Sequence, residues 1–175
     1  MSMHERVLAW LSRRVAETRS PDVVIGGVES PYLLRWWLIP RNPVCNLYLH
    51  LFLRSDDDRA LHDHPWWNVS WLLKGAYTEH TIAAGGVHMR TVREAGAVKA
   101  RRAGTAHRIE LHAGPCWTLF VTGPRLRDWG FHCPQGWRHW RDFTNPLDGG
   151  RTVGRGCADD DRGGAASPTG AGHDH

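Results

Sequence analysis

The chain has 175 residues, 41% of them hydrophobic, and a formal net charge of +4. That length suits one domain with a tail better than two domains. The charge lies almost wholly on arginine, Lys74 and Lys99 being the only lysines, and without a basic run or a zinc-finger spacing it does not mark a nucleic-acid binder.

Residues 1–20 carry no apolar segment followed by a small-residue cleavage site, and no run approaches the length that spans a bilayer. The expectation is a cytoplasmic protein without a membrane partner. Cys45, Cys116, Cys133 and Cys157 include no CxxC pair, so they are expected as reduced thiols rather than as a redox or four-thiolate zinc motif. The ten tryptophans run through the body and avoid the C-terminal end; some belong to a core, and others suit the wall of a cavity.

Taken in chain order, residues 4–18 place Val7, Leu8, Leu11 and Val15 at helical spacing, which predicts a short amphipathic helix (residues 1–20) lying on the remainder. Residues 32–39 (YLLRWWLI) read as a strand closed by Pro40. In residues 44–53, Leu47, Leu49, Leu51 and Leu53 alternate with Asn46, Tyr48, His50 and Phe52. Period two predicts a strand with one apolar face and one mixed face, the latter suited to a polar cavity. After an acidic loop at 55–59, further strands are expected at 66–73, 76–82, 87–93, 97–102, 107–111 and 116–122, separated by turns rich in glycine and proline. Many short strands with such turns indicate an all-β sandwich or barrel. Residues 128–143 are aromatic and should pack on the barrel end. From 146 to 175 large apolar residues almost vanish, which predicts a disordered tail after a β domain spanning 21–145.

The sharpest chemical signal is His62-Asp63-His64. On an extended chain, residues two apart point to one face, so both imidazoles can reach one metal ion. A strand, a tight turn at Gly104 and an inward His107 would add a third ligand from across the fold. Three histidines leave coordination positions open, as in reactive rather than structural metal sites.

These residues carry a resemblance to the cupin superfamily. The string HDHPWWNVSWLLKG is similar to the first cupin motif, with His62, His64 and Gly75 in place and Asn68 where that motif has glutamate. GAVKARRAGTAHRIEL is similar to the second, with Gly96, Gly104 and His107 at the motif spacing, Arg102 replacing its proline and Leu111 its asparagine. The likeness covers roughly residues 44–122. It implies a single cupin-type double-stranded β-helix, a jelly-roll barrel, with one divalent metal ion. The all-histidine set resembles the iron site of the thiol dioxygenases, through HDH at 62–64 and HRIE at 107–110. That implies Fe(II), with Zn, Ni or Mn as alternatives. The Ser-x-His-x-Tyr array of the cysteine-oxidising members is replaced here by Thr118, Phe120 and Thr122 in TLFVT, which argues against cysteine itself as substrate.

Other residues complete the expected site. Glu79, in phase with Tyr77 beyond the Gly75 turn, reads as a ligand, a proton shuttle or a salt-bridged glutamate. Tyr77 reads as a donor to substrate or as core filling, and Asn68 as a weak ligand or a partner of metal-bound water. Arg35, which interrupts an apolar strand, is a candidate anion clamp; His50 is expected to enter the cavity, and Trp66 and Phe120 to wall it. The expected function is an Fe(II) dioxygenase acting on a small organic molecule. The alternatives are a redox-neutral isomerase, lyase or hydrolase, and a non-catalytic small-molecule-binding protein. The cupin likeness further implies a homodimer, with the apolar runs 32–39 and 44–53 as its interface.

Overall fold

The computed structural model describes residues 1–56 and 60–158; part of the acidic loop and the histidines at 173 and 175 lie outside the described residues. The chain begins with α1 (Met3–Leu11), continued by a wider helical turn, Ser12–Ala16. Ser2 caps α1 in a reciprocal capping box with Glu5, which satisfies two of the amides a helix start leaves unpaired.

Among the described residues twelve strands follow: β1 (Val23–Ile25), β2 (Leu33–Trp37), β3 (Asn46–Phe52), β4 (Leu61–His62), β5 (Asn68–Lys74), β6 (Ala76–Ile82), β7 (His88–Glu94), β8 (Val98–Arg101), β9 (His107–Leu111), β10 (Cys116–Thr122), β11 (Gly130–Cys133) and β12 (Gly136–His139). A short α2 (Trp140–Phe143) comes after β12. The strands form two six-stranded antiparallel sheets, ordered β1-β2-β3-β10-β5-β8 and β12-β11-β4-β9-β6-β7.

This corrects the expected barrel. Neither sheet closes on itself: β1 and β8 end the first, and β12 and β7 end the second. Closure would need a continuous ladder around the fold. Here the chain changes sheets at corners instead. Gly75 makes one of them, between β5 and β6, with φ +93°; a Cβ there would sit 2.5 Å from the Cys116 Sγ. The result is two facing sheets of jelly-roll type.

Strand alternation decides what each face does. Leu33, Phe52 and Leu72 of the first sheet meet Tyr77 and Ile109 of the second in the core between them. The opposite face of the first sheet, including Trp36, Leu49 and Leu73, packs on Leu11, Val7, Leu8 and Val15 of the N-terminal helical segment. The mixed face of β3 does look into a cavity, as period two predicts. The apolar faces of 32–39 and 44–53, however, are covered by the chain's own helix, and β3 is paired on both edges, by β2 and β10.

The C-terminal half departs most from expectation. The aromatic block contains the β11–β12 hairpin and α2, packed around Phe131 and Phe143, whose rings stack at 3.6 Å. Residues 146–158, assigned to the tail on composition, are folded: Val153 bridges to Thr144 and Cys157 is joined to Cys133. That disulfide also corrects the expectation of four reduced thiols; Cys45 and Cys116 remain free. Among the described residues no helix is long and apolar enough to cross a membrane.

Candidate metal centre

The histidine triad is assembled by sheet pairing. His62 on β4 and His107 on β9 are direct register partners, which brings residues 45 apart in sequence side by side. His64 follows two positions later, beyond the end of β4. Ring centroids lie 5.1 Å apart for His62 and His64, 4.9 Å for His62 and His107, and 5.2 Å for His64 and His107. One ring nitrogen from each falls within 4.8 Å of the others, and the Nε2 atoms of His64 and His107 are 3.0 Å apart.

Carboxylates stand behind two of these rings. Asp56 Oδ2 is 3.9 Å from His62 Nδ1 and accepts the Ile109 amide at 2.7 Å. Glu79 Oε1 is 3.7 Å from His107 Nδ1, an atom without a hydrogen-bond partner. At these distances neither carboxylate hydrogen-bonds its ring, but each sets a negative charge close to a candidate ligand nitrogen. Asp63 points the other way. It accepts from Arg127, the Gly130 amide, His132 and the Trp137 indole at 2.8–3.2 Å, locking the segment between the two histidines onto β11 and β12. Burial would raise its carboxyl, but those donors hold it below the ordinary carboxylate range.

Burial pushes His64 and His107 well below the usual imidazole range, and the neighbouring His62 and Arg101 push the same way; His62 is lowered too, again mainly by burial. The rings are therefore neutral near pH 7, the form that ligates metal. In the metal-free protein this has a measurable consequence. Below about pH 6.5 the unfolded chain takes up protons that the folded triad refuses, so stability falls as pH falls. The urea midpoint of metal-free protein should drop between about pH 7 and about pH 5, and a variant with all three histidines replaced by glutamine should lose most of that dependence.

The triad borders a cavity of about 360 Å³. Trp66 stacks on His64 with centroids 4.9 Å apart, and Phe120 stacks on His50 at 5.0 Å. Arg35 lies on the wall, donating through Nε to His50 Nε2 at 2.8 Å and resting over the Tyr48 ring. With Nε2 accepting, the His50 proton sits on Nδ1, which has no partner. Among the described residues no carboxylate pairs with Arg35. All four substrate-binding candidates, Arg35, His50, Trp66 and Phe120, thus border the cavity, as do the three metal candidates.

The three catalytic candidates do not border it. Glu79 is 1% exposed and is gripped by Arg101, through Nε at 2.8 Å and again through NH2, and by Arg93 at 3.1 Å. Asn68 accepts weakly from Arg101 at 3.4 Å. Tyr77 is a core residue whose hydroxyl burial pushes up. Sequence reading missed Arg101, which organises all of this from β8 and also borders the cavity. Alternation with Lys99 marks it as facing the same way as that residue, but not what it meets. His80, also outside the expected site, is 3% exposed and bonded to Glu110 and His88.

The chain matches no protein-family model and no curated protein. Distant likenesses exist among solved structures. A Klebsiella pneumoniae protein with a double-stranded beta-helix domain is 14% identical, with 62% of this chain and 90% of that chain covered and a TM-score of 0.47. Fe(II)-HppE with the alternative substrate (S)-1-HPP is 17% identical, with 59% of this chain and 58% of that one covered and a TM-score of 0.47. A cupin superfamily protein from Desulfitobacterium hafniense is 13% identical, with 53% and 77% covered and a TM-score of 0.43. At these values the matches carry nothing about the site, which stands on its own geometry.

Proposed function

We propose that the protein is a metal-dependent oxidoreductase acting on a small organic acid, with Fe(II) held by His62, His64 and His107. The observation that supports it most is the convergence of three neutral imidazoles on the wall of a largely apolar cavity. The donor set fits a divalent first-row ion. Such an ion, when bound, supplies Lewis acidity and, if it is iron, electrons for dioxygen chemistry at the positions three histidines leave open.

The chain's own residues do the rest. Arg35 binds the acidic group of the substrate, since a half-buried guanidinium with no carboxylate partner among the described residues favours an anion with two acceptor oxygens. His50, which also borders the cavity, holds Arg35 in place by accepting its Nε–H. Trp66 and Phe120 exclude water from the reacting end. The redox-neutral alternative needs a base on the cavity wall. Glu79 is turned away and committed to two arginines, and Asp56, the one carboxylate among the described wall residues, is tied to the Ile109 amide. This disfavours Glu79 as the base of an isomerase, lyase or hydrolase.

The test is metal content of untagged protein together with oxygen consumption on a panel of small thiols and carboxylic acids. Iron near one per chain with substrate-dependent oxygen uptake is the expected result. A folded protein that retains zinc and consumes no oxygen with any acid would refute the oxidative reading. Arg35→Met should weaken binding of the active acid more than about tenfold while leaving metal content intact, because a charge-assisted bidentate contact is lost; titration calorimetry checks this.

A further inference from the structure

One wall of the cavity is built from the segment that composition assigned to the tail. Gly150, Arg151, Thr152 and Val153 border the cavity beside Ile25 and Tyr32. The strap is docked mainly by backbone hydrogen bonds: Gly26 N to Arg151 O at 2.8 Å, Asn145 N to Thr152 O at 2.9 Å, and Gly154 N and Gly156 N to Phe143 O at 3.0 Å each. Arg138 adds one to Gly156 O. Apolar burial contributes little, since Leu147 is 94% exposed and Val153 is 43% exposed. A segment held this way opens at low free-energy cost unless something else secures it. That is the Cys133–Cys157 disulfide, which closes a separation of 24 residues. Cys133 lies on β11, the strand that pairs with His62, so the tether joins the strap to the strand beside the metal ligand.

We infer that residues 149–157 are a redox-latched wall of the cavity, shut when Cys133 and Cys157 are joined and released when a dithiol reduces them. This rests on reading the cavity as the substrate site. In the reducing step a thiolate of the dithiol attacks the Cys157 sulfur, which is only half-buried. The Cys133–Cys157 bond breaks, Cys133 leaves as a thiolate and takes a proton, and the second thiol of the reductant resolves the mixed disulfide. The protein gains two electrons and two protons, and the reductant becomes a disulfide. Access to the triad then follows the thiol balance of the surroundings.

Hydrogen exchange on metal-free protein tests this, comparing oxidised protein, protein reduced with dithiothreitol, and Cys157→Ser. The amides of Gly26, Asn145, Gly154 and Gly156 should exchange at least about tenfold faster on reduction, while β3 and β10 keep their protection. Cys157→Ser should match reduced protein with or without reductant. Unchanged strap exchange, a loss of protection spread equally over β3 and β10, or four free thiols rather than two after mild oxidation would each overturn the latch. A second readout is the rate at which a chelator removes zinc from zinc-loaded protein, expected to rise on reduction. Failure to bind zinc at all would count against the metal centre instead, and the exchange result would still decide the latch.

Discussion

Glu79→Ala should destabilise the protein by about 3–5 kcal/mol, read as a fall in the urea or thermal midpoint. The carboxylate is 1% exposed and accepts from Arg101, whose side chain is equally buried, and from Arg93. Removing it leaves the Arg101 guanidinium, among the described residues, with the neutral Asn68 at 3.4 Å and Tyr77 and no counter-ion. A buried charge left without its counter-ion costs far more than the pair contributes over an apolar substitute. Glu79→Gln should be milder, because one amide oxygen can still accept from Arg101. Arg101→Met together with Glu79→Met should recover much of the loss, since neither charge is then orphaned. If Glu79→Ala unfolds at the wild-type midpoint, the network is wrongly described.

The fate of Glu79 shows what could be read from the chain and what could not. Period two places Glu79 and Tyr77 on one strand and separates His50 and Phe52 from Leu49 and Leu51 on opposite faces, but it does not say that the N-terminal helix covers the leucine face. Alternation says which face a side chain occupies, not how deep it lies along the neighbouring strand. Whether an inward carboxylate meets a metal or a guanidinium depends on the β5–β8 register, which sets Arg101 opposite Asn68. The same limit explains the barrel. Face patterns are identical for a closed ladder and for two facing sheets, because only the edges differ. The triad was legible because His62 and His64 need nothing but an extended backbone, and His107 lies where a tight glycine turn ends. The strap was not legible. Its hold on the fold is backbone hydrogen bonding and one disulfide, and neither leaves an apolar pattern in a stretch rich in glycine, arginine and aspartate.

The same separation of ligands from their supports yields the largest functional effect expected. His107→Ala should lower metal affinity by well over about hundredfold, beyond the roughly 10- to 100-fold that follows loss of a residue supporting a ligand. Of the three imidazoles His107 is the one whose Nε2 meets that of His64 at 3.0 Å and whose Nδ1 faces Glu79. Without it, the remaining pair on one short segment offers two donors, too few for a closed or catalytic site. Fold should survive, because β9 keeps its ladder with β6 and the deleted ring faces a cavity already open to the site. Metal per chain by mass spectrometry, with the unfolding midpoint of metal-free protein as control, separates the outcomes. Asp56→Asn supplies the comparison: its carboxylate lies 3.9 Å from His62 Nδ1 and is not part of the donor cluster formed by the three histidines, so its loss should fall inside the 10- to 100-fold range. Equal losses for His107→Ala and Asp56→Asn would mean that His107 supports the site rather than ligating the metal.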